Sequence, residues 1–313
     1  MTSYSVKKVD IMILNYNGEE ILPKCLPSIV EASKKSPVPC QVIVLDNKST
    51  DKSVEYIRKN FPQITLVIAK ENKVLFSYNE HIPKLDSDVV ILLNNDIKVD
   101  PDFIAPLISR FSSPDVFAVA PKQLNFNGIG HNGGKNKIEF KQGLMNAGCF
   151  YEDSDPVLEK SGYTYYNANS AYNRAKFIEL GGFDDIFSPF TWEDTDLGYR
   201  ALKAGYKFVY EPKSVIYHNE SYTVDKESKN IRNRSVIRKR NSFIFTWKNI
   251  TSPSILAIHL MLLPFNFIRS LLYDRNQTLG LIEAVGTLSK VLNRRSLQKK
   301  SFKLRDEEVL TLE

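Results

Sequence analysis

Five carboxylates, Asp184, Asp185, Glu193, Asp194 and Asp196, fall within thirteen residues, interleaved with Phe183, Phe187, Phe190 and Trp192. Solvated charge runs usually mix Lys with Glu and carry few aromatics. Carboxylates set among large rings are partly desolvated, which raises their proton affinity toward the range useful for proton transfer or cation binding. The bland alternative is an acidic helix start, because Asp and Glu favour the first turn of a helix that Leu197, Ala201 and Leu202 would continue.

Such groups need a frame that brings distant segments together. Apolar runs at 9–14, 41–45, 64–68, 89–93 and 116–120 read as short buried strands. Between them Ile21, Leu22, Cys25, Leu26, Ile29 and Val30, and then Val54, Ile57 and Phe61, recur at helical spacing. This alternation predicts βαβ units and a mostly parallel sheet, whose ligands bind outside the carboxyl ends of the strands. The first strand ends in Asn15-Tyr16-Asn17-Gly18, the second in Asp46-Asn47-Lys48-Ser49-Thr50-Asp51 and the fourth in Asn94-Asn95-Asp96. Turn chemistry alone enriches Asn, Asp and Gly at strand ends. Three such clusters on one edge, with Asp46 and Asp96 the first acids after apolar strands, point to a nucleotide and metal site. Neither Gly-x-Gly-x-x-Gly after the first strand nor Gly-x-x-x-x-Gly-Lys-Ser/Thr occurs, so dinucleotide binding and P-loop hydrolysis lose their main support. A diphosphate here would be neutralised by a divalent cation and side chains.

With 313 residues, 42% apolar and 11% aromatic, the chain can build two domains or one large α/β domain with an appendage. Cys25, Cys40 and Cys149 form no close pair and no secretory signal is visible, which together predict reduced thiols and a cytoplasmic location. The net charge of +6 is uneven, since from Lys229 onward 16 Lys and Arg face 6 Asp and Glu. That tail predicts a polyanionic partner. An anionic membrane surface is favoured over nucleic acid, because no nucleic-acid-binding signature accompanies the charge.

The segments ILNYNG (13–18), LDNKSTDKS (45–53), VVILLNND (89–96), GGFDD (181–185) with WEDTDLGYRALKAGY (192–206), and YEPKSVIYH (210–218) stand in a specific order and spacing. Over roughly residues 8–218 the chain resembles family-two glycosyltransferases of the GT-A fold, including members that use rhamnosyl donors. The resemblance implies single displacement with inversion, from a nucleotide-sugar such as a UDP- or dTDP-sugar to a hydroxyl of a saccharide or lipid-linked acceptor. It assigns Asp194 as general base, with Trp192 and Glu193 shaping the acceptor pocket. On the donor side it implies Asp46 as the reader of the base, with Asn15, Asn17, Asn79 and Asn95 beside it and Arg240 near the diphosphate. Asp96 and His218 would hold Mn2+ or Mg2+, with Asn94 standing where the D-x-D type motif usually has an acid. Asp184, Asp185 and Asp196 are read as scaffold. Val74 stands where many members have Gly. A β-branched residue takes positive φ with difficulty, so a different loop is expected there.

Residues 125–137, rich in Gly and Asn, read as a mobile loop, either lid or connector. Beyond 219 long helices are expected, one of them crowded with Arg232, Arg234, Arg238, Lys239 and Arg240. The longest apolar stretch, 255–265, falls short of the ~20 residues a membrane span needs. It reads as a helix lying in the membrane interface, aided by Arg294, Arg295, Lys299, Lys300 and Lys303, or as a packing or homodimer surface. The chain thus divides into a GT-A catalytic domain at 1–220, with nucleotide-binding residues 1–121 and acceptor residues 122–220, and a helical, basic region at 221–313. The function expected is an inverting, metal-dependent glycosyltransferase for polysaccharide or glycolipid synthesis, peripheral on the inner face of the cell membrane. The alternatives are a noncatalytic nucleotide-sugar or glycan-binding module at the membrane, and a metal-dependent nucleotidyltransferase, which would release pyrophosphate.

Overall fold

The structure, a computed structural model, describes residues 5–219 and 234–312, so Arg232 lies outside the described residues. The chain begins with β1 (Val9–Asn15), α1 (Leu22–Lys34), β2 (Cys40–Asp46), α2 (Ser53–Asn60), β3 (Thr65–Ile68), α3 (Tyr78–His81) and β4 (Val89–Asn94). β5 (Ile97–Val99), α4 (Ile104–Ser109), β6 (Val116–Asn125), the hairpin of β7 (Lys137–Lys141) and β8 (Leu144–Gly148), β9 (Gly162–Tyr163) and β10 (Ala171–Asn173) follow. Then come α5 (Arg174–Glu179), α6 (Glu193–Lys203) and β11 (Lys207–His218), and finally α7 (Arg234–Asn249), α8 (Pro253–Tyr273), α9 (Arg275–Gly286), α10 (Leu288–Gln298) and α11 (Asp306–Leu310).

The main sheet runs β3-β2-β1-β4-β10-β6-β11-β5, with β9 beside β11. β3, β2, β1 and β4 are mutually parallel, as the alternation predicts. Beyond β4 the sheet is mixed. β10 lies antiparallel between β4 and β6, β6 is parallel to β11, and β5 and β9 are antiparallel to β11. The sheet is therefore uniformly parallel in the nucleotide half only. Short β5 and β10 supply the antiparallel pairs without βα crossovers of their own, which periodicity over three residues could not reveal.

Strand side chains alternate between faces, and both faces here are covered. Val9, Ile11 and Ile13 of β1 point into one core with Leu22, Leu26 and Ile29 of α1. Met12, Ile43, Leu45, Val90 and Leu92 point into the other, with Leu197 and Leu202 of α6. That second core also contains Phe243, Ile244 and Phe245 of α7, Leu281 and Ala284 of α9, and Val309 of α11. The helical region expected as an appendage thus shares its core with the sheet.

Two local expectations change. Residues 126–136 fold back on β6 rather than lying loose. Asn125 N and Nδ2 donate to Gly130 O (3.1 Å) and Ile129 O (2.7 Å), and Asn132 N donates to Gln123 O (2.7 Å). A Cβ on Gly134 would sit 2.2 Å from Pro121 O, so only glycine permits that approach. α8 runs 21 residues straight through Pro264, long and apolar enough by length and composition to cross a membrane, whereas the uninterrupted apolar stretch is much shorter. It nevertheless lies along the body of the protein.

Candidate active site

The register of the parallel strands sets Asn15 opposite Asp46 and Leu14 opposite Asn94, which brings the three polar strand ends together. Asn15 Nδ2 donates to Asp46 Oδ2 (2.7 Å), while Asn95 Nδ2 donates to Asn15 Oδ1 (2.9 Å). Ser49 N donates to Asp46 Oδ1 (2.8 Å), and its hydroxyl to Asp46 Oδ2 (2.6 Å). Asp46 is fully buried, and this cradle of donors compensates its desolvation. Asn17, at φ +49°, accepts from Thr50 N (2.9 Å) and thereby ties the first strand-end loop to the second. A Cβ on Gly18 would fall 2.3 Å from Asn15 Oδ1 and 2.6 Å from Asn95 Nδ2, so glycine is required for the network to close.

Asp96 and His218, 122 positions apart in sequence, meet because β5 pairs with the end of β11, Ile97 opposite His218. Asn219 N donates to Asp96 O (3.0 Å), and His218 Nε2 lies 3.5 Å from Asp96 Oδ1. That oxygen is buried and has no hydrogen-bond partner. On the far side of the imidazole, Gln123 Nε2 lies 3.1 Å from His218 Nδ1, and Asn169 Nδ2 donates to Gln123 Oε1 (3.4 Å). Asn169 Oδ1 in turn accepts from Asn94 N (2.9 Å). Gln123 and Asn169 thus orient the imidazole, the kind of support that metal-ligating histidines commonly have. Among the described residues no group of three or more His, Cys, Asp or Glu side chains could hold a metal. Two ligands with an orphaned carboxylate oxygen fit a hard divalent cation that takes its remaining oxygens from substrate phosphates and water.

The acidic segment turns sharply before α6. Thr191 and Trp192 both adopt left-handed conformations, φ +67° and +73°, unusual for non-glycine residues and sustained only where the surroundings impose them. Asn241 of α7, fully buried, imposes them here. Its Nδ2 lies 2.9 Å from each of Phe187 O, Phe190 O and Thr191 O. Glu193 and Asp194 then open the helix. Asp194 is half-buried, and Thr195 N donates to its Oδ1 (2.7 Å). Burial pushes its carboxyl above the ordinary range, opposed by hydrogen bonds from Thr195 and from the Ala168 backbone. Glu193 is 4% exposed and its Oε2 has no partner. Burial, and then the charge of Asp194, push it up to about 8. Consecutive residues Ala168 and Asn169 therefore touch the two halves of the site, Ala168 beside Asp194 and Asn169 beside Asn94.

The other three acids are held in ion pairs. Asp196 is fully buried and bonded to Lys248 Nζ (2.6 Å), Asn249 Nδ2 (2.8 Å) and Arg200 Nε (2.7 Å). Asp184 pairs with Lys248 (2.7 Å), and exposed Asp185 with Arg294 (3.0 Å).

Several side chains sit elsewhere than the sequence suggested. The Trp192 indole, expected to offer a face to a sugar, is buried against Phe245 with ring centroids 4.9 Å apart, because the left-handed turn directs it inward. Glu193 lies behind Asp194 with almost no exposed surface. Asn79 is a clamp on the glycine turn. Its Nδ2 donates to Phe183 O (2.7 Å) and its Oδ1 accepts from Phe183 N (3.0 Å). Arg240 donates to Asn241 Oδ1 (2.9 Å) and to Ser188 O, so its guanidinium braces the acidic loop rather than the strand ends. Val74 does adopt positive φ, +51°, held by Asn47 Nδ2 on its carbonyl (3.1 Å) and by its own N–H on Asn72 Oδ1 (2.9 Å). The expected departure of the loop from left-handed geometry is absent. Gln123 escaped the sequence reading. Asn169 carried a signal, because the family resemblance turns the segment 169–171 toward the acceptor, and so did Asn241, as neighbour of Arg240 in an Arg-Asn pair, but neither was read as a support.

Residues 10–181 match the Glycosyl transferase family 2 domain. The chain is 29% identical over 227 residues to the O-antigen chain rhamnosyltransferase RfbN of Salmonella typhimurium, covering 70% of this chain and 69% of that protein. It is 26% identical over 222 residues to the O-antigen chain rhamnosyltransferase WbaN of Salmonella anatum, covering 67% and 66%. Among solved structures it resembles GalNAc-T7 with UDP, GalNAc and Mn2+, at a TM-score of 0.57 and 14% identity over 82% of this chain and 54% of that one. That likeness shows the fold, GT-A, with a central sheet flanked by helices. With the family domain spanning more than half its length, the chain belongs to glycosyl transferase family 2.

Proposed function

We propose that this glycosyltransferase is metal-dependent and inverting, and that Asp194 is its general base. The supporting observation is the juxtaposition of two unlike halves across residues 168 and 169, a half-buried carboxylate of raised proton affinity and an orphaned Asp96 oxygen beside His218. The acceptor O–H proton passes to Asp194 as the acceptor oxygen bonds to the anomeric carbon, and the bond from that carbon to the diphosphate breaks on the opposite face. Asp96 and His218 would hold Mn2+ or Mg2+, which when bound would neutralise charge on the departing nucleoside diphosphate. Asn15, Asn17, Asp46 and Asn95 build the nucleotide end. Because Asp46 is buried and bonded on both oxygens, it acts by fixing the Asn15 and Ser49 side chains that border the donor. The relatives' names suggest a rhamnosyl donor and an O-antigen chain as product, and the family resemblance adds a UDP- or dTDP-carried sugar and a saccharide or lipid-linked acceptor. The basic tail supports a reaction carried out at the inner face of an anionic membrane. Sequence order also suggests two functional regions meeting near residue 121, with the helices after 220 as a third.

Replacement tests the assignment. Asp194→Asn is expected to keep the thermal shift induced by nucleoside diphosphate with Mn2+ and to lower kcat by about two to four orders of magnitude. Asp96→Asn is expected to lose the Mn2+-dependent part of that shift. Retention of turnover by Asp194→Asn would overturn the base assignment.

A further inference from the structure

α8 is built inside out for a water-soluble helix. Its buried positions, Ile255, His259, Asn266 and Ser270, are mostly polar, whereas Leu260, Met261, Phe265, Ile268, Leu271 and Leu272 face outward. Met261 and Leu272 are 71% and 69% exposed, and the apolar surface continues onto Ile282 and Val285 of α9. Amphipathic surface helices place their apolar residues the other way round.

Specific polar bonds, beside the packing of Ile255 and of partly buried Leu256, Leu263 and Phe267, fix the inner face. His259 Nε2 accepts from Trp247 Nε1 (2.8 Å), and its Nδ1 meets Gly143 O (2.6 Å) at the tip of the β7–β8 hairpin. Asn266 Nδ2 donates to Gln142 O (2.8 Å) on the same tip, and Ser270 Oγ lies 2.8 Å from Thr278 Oγ1 of α9. These bonds lay α8 along the body over its length, about 31 Å at 1.5 Å per residue, so only its outer face is available to a partner.

We infer that the outer face of α8, continued by α9, seats the enzyme in the plane of an anionic bilayer leaflet. Charge selects this partner over a second copy of the chain. Residues 253–305 carry nine Lys and Arg against Asp274 and Glu283. Arg269, Arg275 and Lys290 are exposed, with no hydrogen bond or ion pair to any described residue. A two-fold dimer would set this positive surface against itself, whereas anionic headgroups gain ~1 kcal/mol for each basic side chain near them. Lying in the interface also suits a helix whose apolar residues occupy one side and whose flanking Arg269 has a stem long enough to reach the headgroups.

The inference deepens the membrane partner proposed for the basic tail, and it is read by binding alone, so it can fail while the transferase reading stands. Full-length protein is sedimented with phosphatidylcholine vesicles with and without phosphatidylglycerol, beside Phe265→Glu/Ile268→Glu. The wild type is expected to partition onto the anionic vesicles, and severalfold less onto neutral ones. The double variant should bind at least about tenfold less and keep its thermal shift with nucleoside diphosphate and Mn2+, which shows it folded. Equal binding by wild type and variant would overturn the inference. So would a wild type that ignores both vesicles and elutes as a dimer that the variant turns into a monomer.

Discussion

The two halves of the site are assembled in opposite ways. In the nucleotide half, neighbouring strand ends supply nearly everything. Asn15, Asp46 and Asn95 meet because β1, β2 and β4 are in register, and their side chains bond to one another across the strand ends. In the base half, the loop before Asp194 is held by a helix about fifty residues further on. Asn241 caps three of its carbonyls, while Lys248 and Asn249 neutralise Asp196 behind it. The first half is a consequence of topology. The second is an imposed conformation, with two successive left-handed residues, Thr191 and Trp192, leading into Glu193, whose Oε2 has no partner.

Removing the imposed support should therefore damage chemistry more than donor binding. Asn241→Asp keeps the shape of the side chain and deletes its donors, leaving a carboxylate among three buried carbonyls. Each buried acceptor that loses its partner costs ~1–3 kcal/mol. The variant is expected to lose several kcal/mol of stability, on the order of 3–9 by the same figures. It should also lose about a hundredfold in kcat as Asp194 leaves its position, with nucleotide affinity in the folded fraction unchanged. If kcat per folded molecule were preserved, Asn241 would serve stability alone and the contrast between the halves would collapse.

Glu193 sharpens the contrast through pH. Its carboxyl is raised from 4.5 to about 8 in the folded chain, so the stability held below the unfolded value is lost as pH rises through the folded one. Glu193→Gln removes the titration. Below pH 4.5 the variant and wild type should be similarly stable, while above pH 8 the variant should be the more stable by a few kcal/mol, since each tenfold rise in proton affinity is worth ~1.4 kcal/mol. Chemical denaturation below pH 4.5 and above pH 8 measures the difference. Equal pH dependence in the two proteins would show that Glu193 ionises freely. Because Asp194 must be ionised to take a proton, transfer should rise with pH through its elevated pKa in both proteins.

The same contrast explains what the sequence revealed. Five strands and two helices of the nucleotide half were legible because each is a local apolar run or a pattern of period 3.6, whereas β5, α3 and α4 are too short to show one. Strand-end polarity then located Asn15, Asp46 and Asp96. Asn241 was not legible as a support, since nothing about an Asn inside a helix says which carbonyls it will meet. Gln123 and Asn169 are equally mute, because their role depends on the pairing of β6, β10 and β11. Trp192 misled because an aromatic beside two acids suggests an exposed sugar platform, and only the left-handed turn shows that it points inward. The C-terminal helices read correctly as helices and as basic. Their burial could not be read, since Phe243 to Phe245 look alike whether they cover a sheet or a neighbouring molecule.

Val74 supplies the smallest test, a β-branched residue held at positive φ in the nucleotide half, where Asn17 and Lys48 also take it. Its φ of +51° is held from both sides by Asn47 and Asn72. A β-branched residue there costs ~1–3 kcal/mol in strain, and glycine would relieve it while giving back ~0.5–1 kcal/mol through greater freedom of the unfolded chain. Val74→Gly is therefore expected to raise stability by about 1 kcal/mol, read as a shift of a few degrees in Tm. Its effect on kcat should be negligible, because the loop borders the nucleotide end and not Asp194. A clear loss of stability would mean that the two asparagine bonds hold valine there without strain. Val74 would then be no strained support, and the contrast with the base half would sharpen.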